Sequence, residues 1–482
     1  MAIKKIISTF SLVLLFFFAH GQENSISLLF TGDVMQHDSQ INAAYYKGEG
    51  YNYNPVFKYI KPVFQSHDLV IANLELTLAG PPYKGYPQFS APDELAVALQ
   101  NSGVDILVTA NNHSNDRRKK GVIRTLDVLD SLGINHTGTF RNKEERDELY
   151  PLIIEKSGFK IAFLNYTYGT NGIPDSPPVI VNRLDKEQIT ADLKKARNSN
   201  VDKIIVVVHW GAEYRRLPGQ DQLKWEKLFY DYGADAIIGM HPHVIQPVKR
   251  TFNKTENEEK ITAYSLGNFV SNQRKRYTDG GMLFSLEIEK SKIDNTIRFG
   301  DAGYYLTWVY KEYFEGLKRF YIIPADKMDL INSLKLNGND KSMINTFLTD
   351  SRSLLNKNNY RVSEKRYSPL LDNFLVTRSY KLLDYKPNYK GELNIHTSRE
   401  SESDKISQKN TPGQFFVQIA ALKDESRYFD LPNDHLEKLV VHKEDNGLFK
   451  YRVGPFLNKQ EAMNSLKKIK EYGYTEAFLI TY

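Results

Sequence analysis

A recurring unit constrains this chain more than any other feature: a short apolar run that stops in residues able to bind metal or move protons. Leu28-Leu29-Phe30 ends in Thr31-Gly32-Asp33, Val70-Ile71-Ala72 in Asn73-Leu74-Glu75, and Ile106-Leu107-Val108 in Thr109-Ala110-Asn111-Asn112-His113. Further on, Val206-Val207-Val208 ends in His209-Trp210-Gly211, Ile237-Ile238-Gly239-Met240 in His241-Pro242-His243, and Tyr264-Ser265-Leu266 in Gly267-Asn268-Phe269. Amphipathic stretches near 92–101, 122–132, 186–198 and 220–232 sit between the runs and predict helices. Alternation of this kind predicts a layered α/β fold. Sites in such folds collect at the carboxyl ends of strands, where neighbouring loops converge. Six strand ends would therefore bring Asp, Glu, Asn and His to one edge.

Singly, each residue has a plainer reading. An Asp after a strand is usually a turn or a cap, a lone His209 a satisfied core histidine, and Asn111-Asn112 a turn. Their joint order points to a metal or acid–base centre. The chain of 482 residues has no cysteine, which excludes disulfides, Cys-ligated zinc, Fe–S clusters and a thiol nucleophile. Any metal must be held by nitrogen and oxygen. Imidazole, carboxylate and amide oxygen suit one or two ions of Mn, Zn or Fe. Two such ions can clamp the attacking and leaving oxygens of a phosphate ester. In His241-x-His243 the alternation of an extended segment puts both imidazoles on one side.

Lys4 and Lys5 precede an apolar run from Ile6 to Ala19, and Ala19-His20-Gly21 supplies a small-x-small cut before Gln22. This predicts a signal peptide over 1–21 and an exported, soluble mature protein. Residues 25–312 carry the α/β pattern. Residues 313–385 read as a partly helical appendage with one helix near 342–356. Residues 386–412 are rich in Ser, Lys, Glu and Asn and read as a flexible linker. Residues 413–482 regain order.

The six strand-end motifs together resemble the capsule synthesis protein CapA family, also called poly-gamma-glutamate biosynthesis proteins, over roughly residues 26–290. That family is similar to the calcineurin-like metallophosphoesterases, so the resemblance implies two β-sheets packed together with helices outside. It further implies Asp33 and His243 as ligands of a first metal, and Asn112, His209 and His241 as ligands of a second. Glu75 stands at the bridging position, and His113 would be the general acid that protonates a leaving oxygen. Asn268 matches the motif without an assigned role. The broader phosphoesterase pattern has His two residues after the first Asp, where this chain has Met35; His37 is the nearest substitute. Arg215, Arg216 and the run Arg117-Arg118-Lys119-Lys120 are candidates to receive an anionic envelope polymer, the substrate class the resemblance implies. Membrane synthesis proteins are expected neighbours.

The last 70 residues show the order βαββαβ, with strand patterns at Phe415–Leu422 and near Tyr451–Phe456. They resemble the SPOR domain, a bacterial module that binds peptidoglycan glycan strands. Gln418 and Ala420 would share an open face with Arg452, in reach of sugar hydroxyls. This module carries ten basic and ten acidic residues, so no nucleic-acid partner is expected. The net charge of +6 lies instead in the signal and in residues 313–412.

Overall fold

The computed structural model describes residues 25–253, 258–314, 317–334 and 336–367. Beyond these it describes 415–422, 439–443, 449–456, 459–471 and 477–481. The expected signal peptide and linker lie outside the described residues. Two compact units divide at Thr397/Ser398. Among the described residues no helix is long and apolar enough to cross a membrane.

The first unit is built on two sheets. The larger runs Leu317–Pro324, Ile297–Phe314, Gly280–Lys290, Ser25–Val34, Leu69–Leu74, Ile106–Val108, Asn135–Thr137. The short strand Asn268–Val270 also pairs in parallel with Ser25–Val34. The second sheet runs Val248–Asn253, Glu258–Ala263, Ala236–Met240, Lys203–His209, Phe159–Thr167, Leu152–Lys156. In the larger sheet the strands from Ser25–Val34 to Asn135–Thr137 are parallel, as βα alternation requires, and the three on its other side are antiparallel; in the second the inner strands are parallel and the two edge strands antiparallel.

Period-2 alternation explains the layering. Leu28 and Phe30 face inward and join Ile161, Phe163, Ile205, Val207 and Ile238 in one core between the sheets. Leu29, Val70 and Leu107 face outward, against Leu95 and Leu99 of helix Glu94–Ser102 and Leu129 of helix Arg118–Leu132. On the far side, Val206 and Val208 pack against Leu193 and Phe229 from helices Lys186–Asn198 and Gln220–Asp231. The result is helix, sheet, sheet, helix, the mixed α/β arrangement expected from the sequence. Full burial of each such side chain stabilises the fold by about 1.5–3 kcal/mol.

The boundary expected at 312 is corrected by the structure. Strand Ile297–Phe314 runs straight through it and pairs with Leu317–Pro324 from Thr307↔Pro324 to Phe314↔Leu317. The expected helix forms as Gly338–Asn358, and its Phe347, Leu348, Leu354 and Leu355 belong to the core between the sheets. Residues 313–367 are thus part of the first unit.

In the second unit the strands order as Leu439–Lys443, Phe449–Phe456, Phe415–Leu422, Phe478–Thr481, all antiparallel. Helix Lys459–Glu471 packs against three of them. The first expected helix, near 434–439, lies outside the described residues except for Leu439, which opens a strand. Gln418 pairs directly with Arg452, but the register shifts between Gln418 and Ala420, so simple alternation does not hold across them. Arg452, expected on an open face, is only 7% exposed.

Candidate metal centre

The centre forms where parallel strands stop. Asp33 ends the first strand and lies in register with Asn73 on one side and Asn268 on the other. Gly32 makes this approach possible, because a Cβ there would lie 1.9 Å from the Gly267 carbonyl oxygen. The Asp33 amide in turn donates to that oxygen at 3.0 Å. On the second sheet, His209 is in register with Met240, so His241 and His243 follow directly beside it. Both adopt left-handed backbone, with φ of 97° and 56°. Non-glycine residues seldom hold such angles, and they concentrate at functional sites.

The side chains converge on Glu75. His243 Nδ1 lies 3.1 Å from Asp33 Oδ2. His209 Nε2 lies 2.7 Å from Asn112 Oδ1 and 3.1 Å from His241 Nδ1. Glu75 Oε1 stands between these groups, 3.5 Å from His209 Nε2 and 3.8 Å from His243 Nε2. Ligand atoms of Asp33, Glu75 and His209 lie within 4.8 Å of one another, as do those of Glu75, His241 and His243. Glu75 is common to both sets. All of these residues are buried.

Electrostatics gives this arrangement its meaning. Both Glu75 oxygens are buried without a hydrogen bond. Burial, joined by the charge of Asp33, pushes the Glu75 carboxyl well above the usual carboxylate range. Burial opposes the charge on Asp33 as well, but its hydrogen bond to His243 and the charges of His243 and His209 hold it below its ordinary value. Burial lowers His209 to about 3, against the pull of Asp33, and lowers His241 well below its usual range. The His209 and His241 imidazoles and a Glu75 carboxyl whose ionised form burial disfavours thus crowd their lone pairs into one space. An isolated buried carboxylate is costly unless a cation compensates it. The donors are nitrogen and hard oxygen only, so the residues fit a divalent metal.

Other expected residues fall around this core. His113 stands apart from it: its Nδ1 lies 2.7 Å from Asp116 Oδ2, which also accepts the Phe89 amide at 2.7 Å. Asn268 is fully buried; its Nδ2 donates to Thr278 O at 2.8 Å and its Oδ1 has no partner. Arg215 is exposed; its carbonyl accepts from Gln246 Nε2 at 2.7 Å and its amide donates to Ala212 O at 3.4 Å. Arg216 lies over Tyr277 at 4.2 Å. Met35 is 2% exposed in the outer apolar cluster. His37 does not replace the missing ligand; its Nδ1 lies 3.1 Å from Gln40 Oε1 and 3.3 Å from the Asn272 amide nitrogen.

Several participants carried no signal as site residues in the sequence. Asn73 Nδ2 donates to Asp33 Oδ1 at 2.8 Å and lies 3.3 Å from His209 Nδ1. Asn111 Nδ2 donates to Leu74 O at 2.8 Å, tying the Asn112 loop to the Glu75 loop. Asn171 Oδ1 accepts from Asn112 at 3.2 Å, and Tyr168 packs on His241 with ring centres 4.5 Å apart. Of these, Asn73 and Asn111 lie inside the strand-end motifs, which give them no role of their own, and Asn171 and Tyr168 lie outside every motif.

The fold and this buried cluster define a two-sheet α/β protein with a metal-type centre at its strand ends. The chain belongs to the bacterial capsule synthesis protein PGA_cap family, which matches residues 27–273, and it carries a SPOR domain over residues 411–481. It is 29% identical over 271 residues to the capsule biosynthesis protein CapA of Bacillus anthracis, covering 53% of this chain and 62% of that protein. It is 27% identical over 281 residues to the PGA biosynthesis protein CapA of Bacillus subtilis (strain 168), covering 56% of this chain and 69% of that one. The matched part therefore spans less than two thirds of the Bacillus anthracis relative. Among solved structures, a 5'-nucleotidase from Candida albicans SC5314 aligns at 11% identity and a TM-score of 0.34, covering 68% of this chain and 57% of that one.

Proposed function

We propose that this protein is an exported, metal-dependent hydrolase of capsule or cell-envelope polymer biosynthesis, held on peptidoglycan glycan strands by its SPOR domain. The observation that carries the reading is Glu75: a fully buried carboxylate with neither oxygen hydrogen-bonded, ringed by Asp33, His209, His241 and His243. By the family resemblance Asp33, Glu75 and His243 would hold one divalent ion and Glu75, Asn112, His209 and His241 a second, whereas spacing alone groups Asp33, Glu75 and His209 and, separately, Glu75, His241 and His243. Such ions supply Lewis acidity toward a phosphoryl or carbonyl oxygen.

The chain's own residues do the rest. Asp116 fixes the Nδ1 side of His113, so Nε2 is the atom that hands a proton to a leaving oxygen. Asn171 Nδ2 lies 3.5 Å from that Nε2, marking the side from which substrate arrives. Phe89, its ring 4.5 Å from His113, shields the opposite side. The anionic polymer implied by the family is the expected substrate class.

A second reading is a non-catalytic envelope-assembly protein that holds polymer in the same cleft. Met35 favours it, since a buried thioether stands where metallophosphoesterases carry a histidine. Metal analysis of the purified chain decides between them. The hydrolase reading expects one or two ions per chain, lost on His209→Ala or His241→Ala; less than one ion, unchanged by those substitutions, would sink it.

A further inference from the structure

Tyr86, Tyr168 and Tyr214 come from three different loops and are 67%, 46% and 36% exposed. Burial would have been the favourable fate of such rings, yet all three stand in solvent around the centre. The Tyr168 ring lies 4.5 Å from His241 and nearly parallel to His209, 9° at 6.4 Å. Tyr214 lies 6.2 Å from His243. Tyr86 packs at 6.4 Å on Phe89, the ring that backs His113.

The surroundings of these rings add to the pattern. The exposed Glu213 adjoins Tyr214 in the same loop, and the Tyr168 and Tyr214 rings lie against the His241 and His243 imidazoles. Tyr214 keeps its place at a φ of 64°, with its amide donating to Pro242 O at 2.8 Å. Left-handed backbone is rare for a bulky side chain, and glycine would relieve it at once. Exposed Asn171, at a φ of 50°, completes the rim beside His113.

Flat rings next to a carboxylate and an amide form a particular recognition chemistry. Tyrosine supplies rigid, amphipathic contact area at low entropic cost. Glu213 and Asn171 supply acceptors for hydroxyl groups. An open-chain polyanion has no ring to stack and would meet the exposed Glu213 carboxylate. We propose that this mouth binds a sugar ring whose phosphate ester faces the Glu75 centre, so that the substrate is a sugar phosphate unit of an envelope polymer. This rests on the hydrolase reading above and names its substrate class. In the hydrolysis, water adds its oxygen to phosphorus while the P–O bond to the sugar breaks; the departing oxygen takes its proton from His113 Nε2, and the proton shed by the water passes to solvent, from which His113 is reprotonated.

The test titrates the full chain, supplied with Mn2+, by calorimetry against N-acetylglucosamine 6-phosphate, glycerol 3-phosphate and a γ-glutamate oligomer. The sugar phosphate is expected to bind about tenfold more tightly than glycerol phosphate, with the oligomer weakest. Tyr86→Ala, Tyr168→Ala and Tyr214→Gly each erode that preference several-fold, whereas Tyr86→Phe and Tyr168→Phe keep it. Metal content measured on the same samples stays at the native level throughout. Equal affinity for the two phosphates overturns the proposal, as does a preference that survives all three tyrosine variants, or tightest binding by the oligomer. A chain that holds no metal yet keeps the tyrosine-dependent preference sinks the hydrolase reading and leaves the mouth assigned. A chain that holds metal without any ring preference does the reverse.

Discussion

Asp116 shows how one side chain sets the chemistry of another. Its Oδ2 lies 2.7 Å from His113 Nδ1, and burial pushes its carboxyl above the ordinary value despite the pull of His113. Asn in its place keeps the shape but offers an amide that can present the wrong group to Nδ1. The expected outcome for Asp116→Asn is a turnover lower by roughly 10²–10⁴-fold, with metal content and melting temperature near native. Lost metal in that variant would show Asp116 to be structural instead. At this scale the sequence was informative about the cluster residues, because each of them ends an apolar run. It was silent on Asp116, Asn73 and Asn171 as site residues, because their roles depend on which loops meet in space. Asp116 resembles any acid near the start of a helix until Phe89 and His113 are brought to it. Met35 was legible as a departure, and its burial among Leu74, Val270 and Phe269 gives the physical reason it is tolerated: it packs.

Helices were legible from one buried face, and the inner strands from short continuous apolar runs buried on both. The helices at 92–101, 122–132 and 186–198 follow a clean 3.6-residue period and form almost as spaced. Strand Ile297–Phe314 shows no apolar–polar alternation, because its side chains alternate between two apolar cores: Trp308 and Tyr310 pack between the sheets and Val309 in the outer cluster. The same strand crosses the boundary expected at 312. Two predictions belong here. Gly32→Ala places a Cβ 1.9 Å from the Gly267 carbonyl, where only backbone can yield; a stability loss of about 1–3 kcal/mol is expected in urea titrations, together with weakened metal binding. The second concerns Glu94, which opens helix Glu94–Ser102. Burial raises it to about 7, outweighing its backbone hydrogen bond. Below its ordinary value near 4.5, folded and unfolded chains both hold the proton. Between there and about pH 7 only the folded chain keeps it, so stability contributed by protonated Glu94 is lost as pH rises. Glu94→Gln should therefore match the native chain at pH 4 and exceed it by about 1–3 kcal/mol at pH 8.

Across the whole molecule, the strand-end cluster and the SPOR domain fall in separate compact units, 1–397 and 398–482. Where the first of them ends is a physical question, because the family match stops at 273 while the hydrogen-bonded sheet continues to Pro324. A chain ending at 312 would expose the partner edge of Ile297–Phe314 and lose Phe347, Leu348, Leu354 and Leu355 from the core between the sheets. At about 1.5–3 kcal/mol per buried side chain, that loss rivals the ~5–15 kcal/mol that holds a typical domain folded. The fragment 22–312 should be insoluble or lack a cooperative transition. The fragment 22–397 should instead melt within a few degrees of the full chain and keep its metal. The two fragments separate folding from attachment, because 22–397 also lacks the SPOR domain. In sedimentation with purified peptidoglycan, the full chain should pellet and 22–397 should stay in solution. Equal pelleting would place the wall contact on the first unit, and equal solubility of 22–312 would restore the appendage. If both fragments behave as argued, the second unit decides where the protein works, and the strand ends of the first decide what it does there.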